Sequence, residues 1–185
     1  MKKYTDSIIK LIALLRDCVV PSTLYRYKLG HINKKFPGRN HVVRYEVQPD
    51  VHVDVFWKAM PKWKGPGMSL FIYGEEVLRF DCFGNANGHY HVDFHAPWAT
   101  INNKLFFFDS AVESQIERTL YELKTNLNYY LQRNPKRKIR NITIDPDKLD
   151  SVCEKIRESM NHLLTTIPEL QGLKTGNKQQ PWIAI

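Results

Sequence analysis

The sequence has few cysteines, no long apolar run and, over two extended stretches, no acidic residue. Each absence excludes something. The longest apolar run near the N-terminus, Ile8 to Leu15, is interrupted by Lys10 and closed by Arg16 and Asp17, so it reads as neither a bilayer span nor a secretory leader, and no membrane partner is expected. The three cysteines, Cys18, Cys82 and Cys153, are odd in number and widely scattered, with no Cys-x-x-Cys spacing. That argues against a disulfide framework or thiolate zinc site and for a cytoplasmic protein whose thiols are small buried side chains. There is also no P-loop, dinucleotide fingerprint, His-Glu-x-x-His helix or serine nucleophile elbow, which removes the common nucleotide-dependent and hydrolase families. No internal repeat and no low-complexity segment is present.

The missing acids leave the charge uneven. The formal charge is +8, and between Asp17 and Glu46 the chain carries Arg26, Lys28, Lys34, Lys35, Arg39 and Arg44 among Tyr25, Tyr27, Phe36 and Tyr45. A second acid-free run, Lys124 to Ile144, contains Arg133, Lys136, Arg137, Lys138 and Arg140. Basic blocks interleaved with rings suit a phosphate backbone and stacked bases. An acidic protein surface would suit them too.

At 185 residues and 43% hydrophobic content the chain is expected to fold as a single α+β domain. Thr5 or Asp6 caps a first helix whose Ile8, Ile9, Leu11, Ile12, Leu15 and Val19 form an apolar stripe ended by Pro21. Pro21 to Asn40 is irregular. Alternation then predicts strands over His41 to Val47 and Val51 to Trp57 around a Gln48-Pro49-Asp50 turn, with His52, Asp54 and Lys58 sharing a face. Met60 to Gly67 reads as a loop, in which Trp63 between two lysines is a candidate stacking platform. A strand over Met68 to Tyr73 and a turn at Gly74-Glu75-Glu76 follow. Further on, Leu105 to Phe108 reads as a strand buried on both sides, and Ser110 to Glu113 as a capping box opening a helix that carries Ile116, Leu120, Leu123, Leu127 and Leu131. Ile142 to Ile144 is expected as a short edge strand. Asp145-Pro146 then opens a last helix with Leu149, Val152, Ile156, Leu163 and Ile167 inward. The expected architecture is a twisted antiparallel sheet of five or six strands, with the N-terminal helix and two C-terminal helices on one face and the other face partly exposed.

Val77 to His95 is the most informative stretch. Period-two alternation puts His89, His91, Asp93 and His95 on one side of a strand and Tyr90, Val92 and Phe94 on the other. Arg79 and Asp81 share a face of the preceding strand, and Gly84-Asn85-Ala86-Asn87-Gly88 is a reversal. In a hairpin that keeps the apolar faces together, Arg79 and Asp81 lie beside His89 and His91. Two chemistries fit. The imidazoles can share acid and base work while Arg79 stabilises an anionic transition state and Asp81 or Asp93 orients an imidazole. Alternatively His89, His91 and His95, with Asp93 or with His52 from a neighbouring strand, ligate a divalent transition metal. Residues four apart on a strand lie about 13 Å apart, so one strand alone cannot close such a site.

The run Ile72-Tyr73, Gly74, Leu78-Arg79-Phe80-Asp81 and His89-Tyr90-His91 resembles the core of the TumE-like toxins of bacterial toxin–antitoxin systems, which carry an Arg-Tyr-Asp-Asn box and a His-x-His. Here Phe80 replaces the tyrosine and Cys82 the asparagine. The resemblance covers the central third of the chain and implies a small α+β domain that acts on or binds RNA, with an antitoxin as protein partner. The leading expectation is therefore a nucleic-acid-directed, metal-independent endoribonuclease-like protein. Its catalytic residues would be His89, His91, Arg79 and Asp81, and Lys34, Lys35, Arg39, Arg44, Trp63, Lys136, Arg137, Lys138 and Arg140 would bind the nucleic acid. The alternatives are a metal-binding hydrolase and a non-enzymatic basic inhibitor or adaptor.

Overall fold

The computed structural model describes residues 38–60, 63–92 and 104–173, all within one compact unit, Gly38–Ile185. The first helix, Lys34, Lys35, Asp93 and His95 lie outside the described residues, as does the N-terminal part of the expected single domain. The protein is α+β: among the described residues, six antiparallel strands in meander order are followed by helices. The strands are β1 (Arg39–Gln48), β2 (Val51–Ala59), β3 (Lys64–Ile72), β4 (Glu75–Asp81), β5 (His89–His91) and β6 (Lys104–Phe106). The helices are α1 (Val112–Thr125), α2 (Leu127–Gln132), the single turn α3 (Arg137–Arg140) and α4 (Pro146–Thr166). Among the described residues no helix is long and apolar enough to cross a membrane.

Tight turns set the sheet order. Pro49 fixes its own backbone and Asp50 takes a positive φ of 64° to join β1 to β2, while Tyr73 and Gly74, at φ 54° and 74°, close β3 on β4 one residue earlier than expected. The apolar faces of the strands, including Val51, Val53, Val55, Met68, Leu70, Leu78, Phe80 and Cys82, form one core with Ile116, Leu120, Leu123, Val152, Ile156 and Met160 of the helices. Each fully buried Val, Leu, Ile or Phe contributes about 1.5–3 kcal/mol. Asp145 caps α4, its Oδ1 accepting from the backbone N–H groups of Asp147 and Lys148 at 3.1 and 3.2 Å, with Pro146 in the first turn.

Several expectations are corrected. Lys64 to Gly67 are strand rather than loop: Pro66 sits within β3 with its carbonyl accepting from Cys82 N–H at 2.9 Å, and Gly65 and Gly67 fill positions where β4 approaches too closely for a Cβ. Leu105 to Phe108 are not buried on both sides; only Phe107 reaches the core, because β6 is the sheet's edge among the described residues. Ile142 to Ile144 form no strand, and the α1 N-cap is Ala111, so Ser110 supplies no capping box. The single helix expected to carry Ile116 through Leu131 breaks at Asn126, whose side chain turns back to donate to Glu122 at 2.7 Å. Finally, the face opposite the helices is exposed only toward its margins, as at Arg44 and Phe106, and not at the histidine pair: Asp54, Phe56, Ser69, Arg79, Asp81, His89 and His91 are all buried.

Candidate functional site

Antiparallel register places side chains in rows across the sheet. One row on the polar face runs Asp54, Ser69, Arg79, His91, Lys104 from β2 to β6, and the next runs Phe56, Gly67, Asp81, His89, Phe106. The pairing of Arg79 with His91 and of Asp81 with His89 is the one that the alternation predicts. Two bulges extend the face. One between Asn40 and Val43 keeps both Arg39 and Arg44 on the polar side, although they are five residues apart, and one after Leu70 puts Glu76 rather than Val77 beside Arg79.

Asp81 is the centre. Its Oδ1 accepts from Lys58 Nζ at 2.6 Å, and its Oδ2 lies 3.2 Å from Arg79 Nε and 3.6 Å from the Nε2 atoms of both His89 and His91. Lys58 comes from β2 and reaches across β3 because Gly67, between Phe56 and Asp81 in the row, has no side chain; a Cβ there would lie 2.9 Å from the Phe56 ring and 3.3 Å from Asp81 Oδ1.

The seven residues between β4 and β5 are held by Gln115 of α1. Its Oε1 accepts from Gly84 N–H at 3.0 Å, and its Nε2 donates to the carbonyls of Asn85 at 3.2 Å and Asp109 at 2.7 Å. Gly88 must lack a side chain, since a Cβ there would fall 2.0 Å from Gln115 Oε1. His89 Nδ1 donates to the Asn87 carbonyl at 2.8 Å, which leaves the Nε2 lone pair of the neutral ring facing Asp81.

Burial and charge oppose each other in this cluster. Burial alone would raise the Asp81 carboxyl, but Lys58, the contact with His91 and Arg79 outweigh it and hold the group well below the usual carboxylate range. Burial lowers Lys58 to about 8 against the attraction of Asp81, and lowers His91 to about 4 with help from Arg79. His89 is lowered as well, again chiefly by burial. At neutral pH both imidazoles are therefore uncharged and Lys58 is mostly protonated.

Asp81, His89 and His91 can hold a metal ion, since one donor atom from each lies within 4.8 Å of the others. Ligands about 2.0–2.1 Å from a tetrahedral ion stand roughly 3.3–3.4 Å apart, close to the 3.6 Å between the carboxylate and each imidazole. The His89 ring also has the outer hydrogen bond to a backbone carbonyl that is usual for a ligating histidine.

The other predicted residues separate clearly. His52 shares the polar face but pairs with Phe71 at the far end of β2, stacked on that ring at 4.9 Å, so it is not a ligand of this cluster. Arg39 donates to Glu76 at 2.6 Å and covers Phe56, and Arg44 forms a forked pair with Asp54 at 2.7 and 2.9 Å. Lys136 and Lys138 both engage Glu75, at 2.6 and 3.1 Å, and Arg140 caps the carbonyls of Asn134 and Pro135 at 2.7 Å. Arg137 is exposed with no acidic partner among the described residues. Trp63 is partly exposed, with Lys104 Nζ 5.5 Å from its ring centroid. Lys58 and Gln115 are the site residues that sequence reasoning missed. The alternation placed Lys58 on the right strand face, but only strand order brings it to Asp81, and nothing local marks Gln115. The Cys82 thiol, raised by burial to about 12, is unreactive.

No family model, curated protein or solved structure matches the chain.

Proposed function

We propose that Lys58, Arg79, Asp81, His89 and His91 form an acid–base site that cleaves the phosphodiester backbone of RNA, in keeping with the toxin resemblance of the central hairpin. The observation that carries this is the composition around Asp81: with neutral imidazoles, two cations and one carboxylate leave a net charge of +1, which favours an anion over a further cation. The neutral imidazole of His89, whose Nδ1 donates to the Asn87 carbonyl, accepts the proton of the ribose 2′-hydroxyl through Nε2. The 2′-oxygen then bonds to phosphorus, Arg79 stabilises the charge on the phosphorane oxygens, and Lys58 delivers its proton to the departing 5′-oxygen. The products are a 2′,3′-cyclic phosphate and a free 5′-hydroxyl. Because Arg79, Asp81, His89 and His91 are buried and only Lys58 is partly exposed, reaction with a polymer requires the face to open to solvent.

The test is incubation of labelled single-stranded RNA with the protein and with a His89→Ala/His91→Ala variant, each with and without EDTA. Cleavage that survives chelation and disappears in the variant supports the acid–base site. Absence of cleavage, or cleavage by the variant, removes it.

The spacing of Asp81, His89 and His91 favours a second reading, a divalent transition-metal centre. Lys58 and Arg79 beside the carboxylate oppose it. It predicts that Zn²⁺ at 100 times its dissociation constant raises stability by about 2.7 kcal/mol and that Asp81→Asn abolishes this rise. An unchanged unfolding transition with Zn²⁺ would exclude it.

A further inference from the structure

Beside the buried cluster the protein leaves large apolar surface in water. Phe106 is 63% exposed although it is the cross-strand partner of His89, its ring centroid 5.8 Å from the imidazole. Leu105 and Phe108, on either side of it along the chain, are exposed as well. Lys104 stands opposite His91, and its ammonium lies 5.5 Å from the centroid of the Trp63 ring, itself 37% exposed. One ring, Phe106, is therefore packed against an imidazole, a cation stands in register with the other imidazole, and Trp63 adjoins that cation. A purely structural edge would be blunted with charge and would not present phenylalanines to solvent.

We propose that Phe106, Trp63 and Lys104 form a nucleobase subsite that seats one base of single-stranded RNA on an aromatic ring, with the adjoining phosphate toward Lys104. The inference takes its ligand class from the ribonuclease reading and adds where the substrate is gripped. A base offers a flat apolar face for Phe106 or Trp63, and its phosphate complements Lys104 and the net positive cluster behind it. A second copy of the chain fits less well. The β6 edge is three residues long among the described residues, and two chains of charge +8 repel one another.

The experiment uses the full chain and a 2′-O-methyl oligonucleotide, which lacks the hydroxyl nucleophile and cannot be cut, together with the same oligonucleotide made abasic. Affinities are measured by fluorescence anisotropy at fixed salt for the native protein, Phe106→Ala and Phe106→Trp. Removing the bases is expected to weaken binding by the native protein about 5- to 150-fold, to matter several-fold less in Phe106→Ala, and to matter again in Phe106→Trp. Tryptophan emission of the native protein should fall on binding the base-bearing strand, and that change should be lost in Trp63→Phe. Equal binding of the two oligonucleotides by the native protein, or an equal loss on both in Phe106→Ala, overturns the subsite, as does a Phe106→Ala variant that changes only oligomeric mass. If RNA is still cut in that event, the subsite alone has failed. If the coupling to the bases holds while no RNA is cut, the ribonuclease reading has failed and the subsite stands.

Discussion

Lys58 and Asp81, on strands that are not neighbours, meet across a third strand, the ammonium 2.6 Å from Oδ1. Asp81 is buried and Lys58 largely so, and Arg79 shares the same carboxylate. Removing the anion strands two cations, so Asp81→Asn should cost about 3–5 kcal/mol in urea unfolding. Lys58→Met added to it should recover part of that loss, with a coupling of roughly 0.5–3 kcal/mol in the double-mutant cycle. Strict additivity of the two substitutions would show that the pair does not interact in solution.

Gly67 keeps that contact open. A Cβ there meets Phe56 and the Phe80 carbonyl oxygen at 2.9 Å, so Gly67→Ala should lower stability by about 1–3 kcal/mol despite the small volume added. The urea midpoint measures this. A midpoint equal to that of the native protein would mean that the two strands separate freely at this point.

Acid should weaken the fold from the imidazole side first. His91 binds its proton at about 4 in the folded protein against 6.5 when unfolded, so between those values the unfolded state holds more protons and stability falls as pH falls. The slope from this one group is about 1.4 kcal/mol per pH unit, and His89 adds in the same direction. Below the ordinary carboxylate range Asp81 adds its own loss. His91→Gln should therefore show a visibly shallower decline of unfolding midpoint between pH 6.5 and 4; parallel curves would contradict the buried, neutral imidazole.

The proposed chemistry carries its own pH signature. With His89, whose proton affinity is lowered by burial, as base and Lys58 as acid near 8, the rate of RNA cleavage should hold level through neutral pH, fall above about 8 and fall again in acid below the ordinary imidazole range. An optimum confined to a narrow range around pH 6 would instead require a charged imidazole as acid and would displace Lys58 from its role.

The basic residues near α3 should behave unequally. Arg137→Glu should weaken nucleic-acid binding and leave stability within about 0.5 kcal/mol, because the side chain is exposed and unpaired among the described residues. Lys136→Glu, which sets two carboxylates together at Glu75, should lower the unfolding midpoint as well. Anisotropy with RNA at two salt concentrations, alongside thermal unfolding, separates the two; the reverse pattern would refute the assignment.

The hairpin that gathers Arg79, Asp81, His89 and His91 was legible because its information is local: two alternating strands and a glycine-rich reversal leave one register that keeps Phe80 and Tyr90 on the core side. Lys58 was not legible as a partner of Asp81, since that depends on which strand lies between them and on a glycine in it. The Gly65-Pro66-Gly67 run resembled a loop because both residue types interrupt strands in isolation; here the glycines answer the close approach of β4. Phe106 misled for the opposite reason, an unbroken apolar run being the mark of a central strand and β6 a margin. Charge runs were visible, but the ion pairs of Lys136 with Glu75 and of Arg39 with Glu76 come from distant turns of chain.

The meander order has a kinetic side. Among the described residues every strand pairs with its neighbour in the chain, so the sheet grows by successive short-range closures, and the long-range joining comes from the docking of α4 on β1, β2 and β3, as where the Tyr45 and Ser159 hydroxyls meet. Chains dominated by nearby contacts cross their folding barrier faster than those whose strands must first find distant partners. The elements that carry Lys58, Arg79, Asp81 and the imidazole pair run consecutively from β2 to β5, so their strands are made before helices α1 to α4, and Gln115 of α1 then fixes the connection that presents the imidazoles.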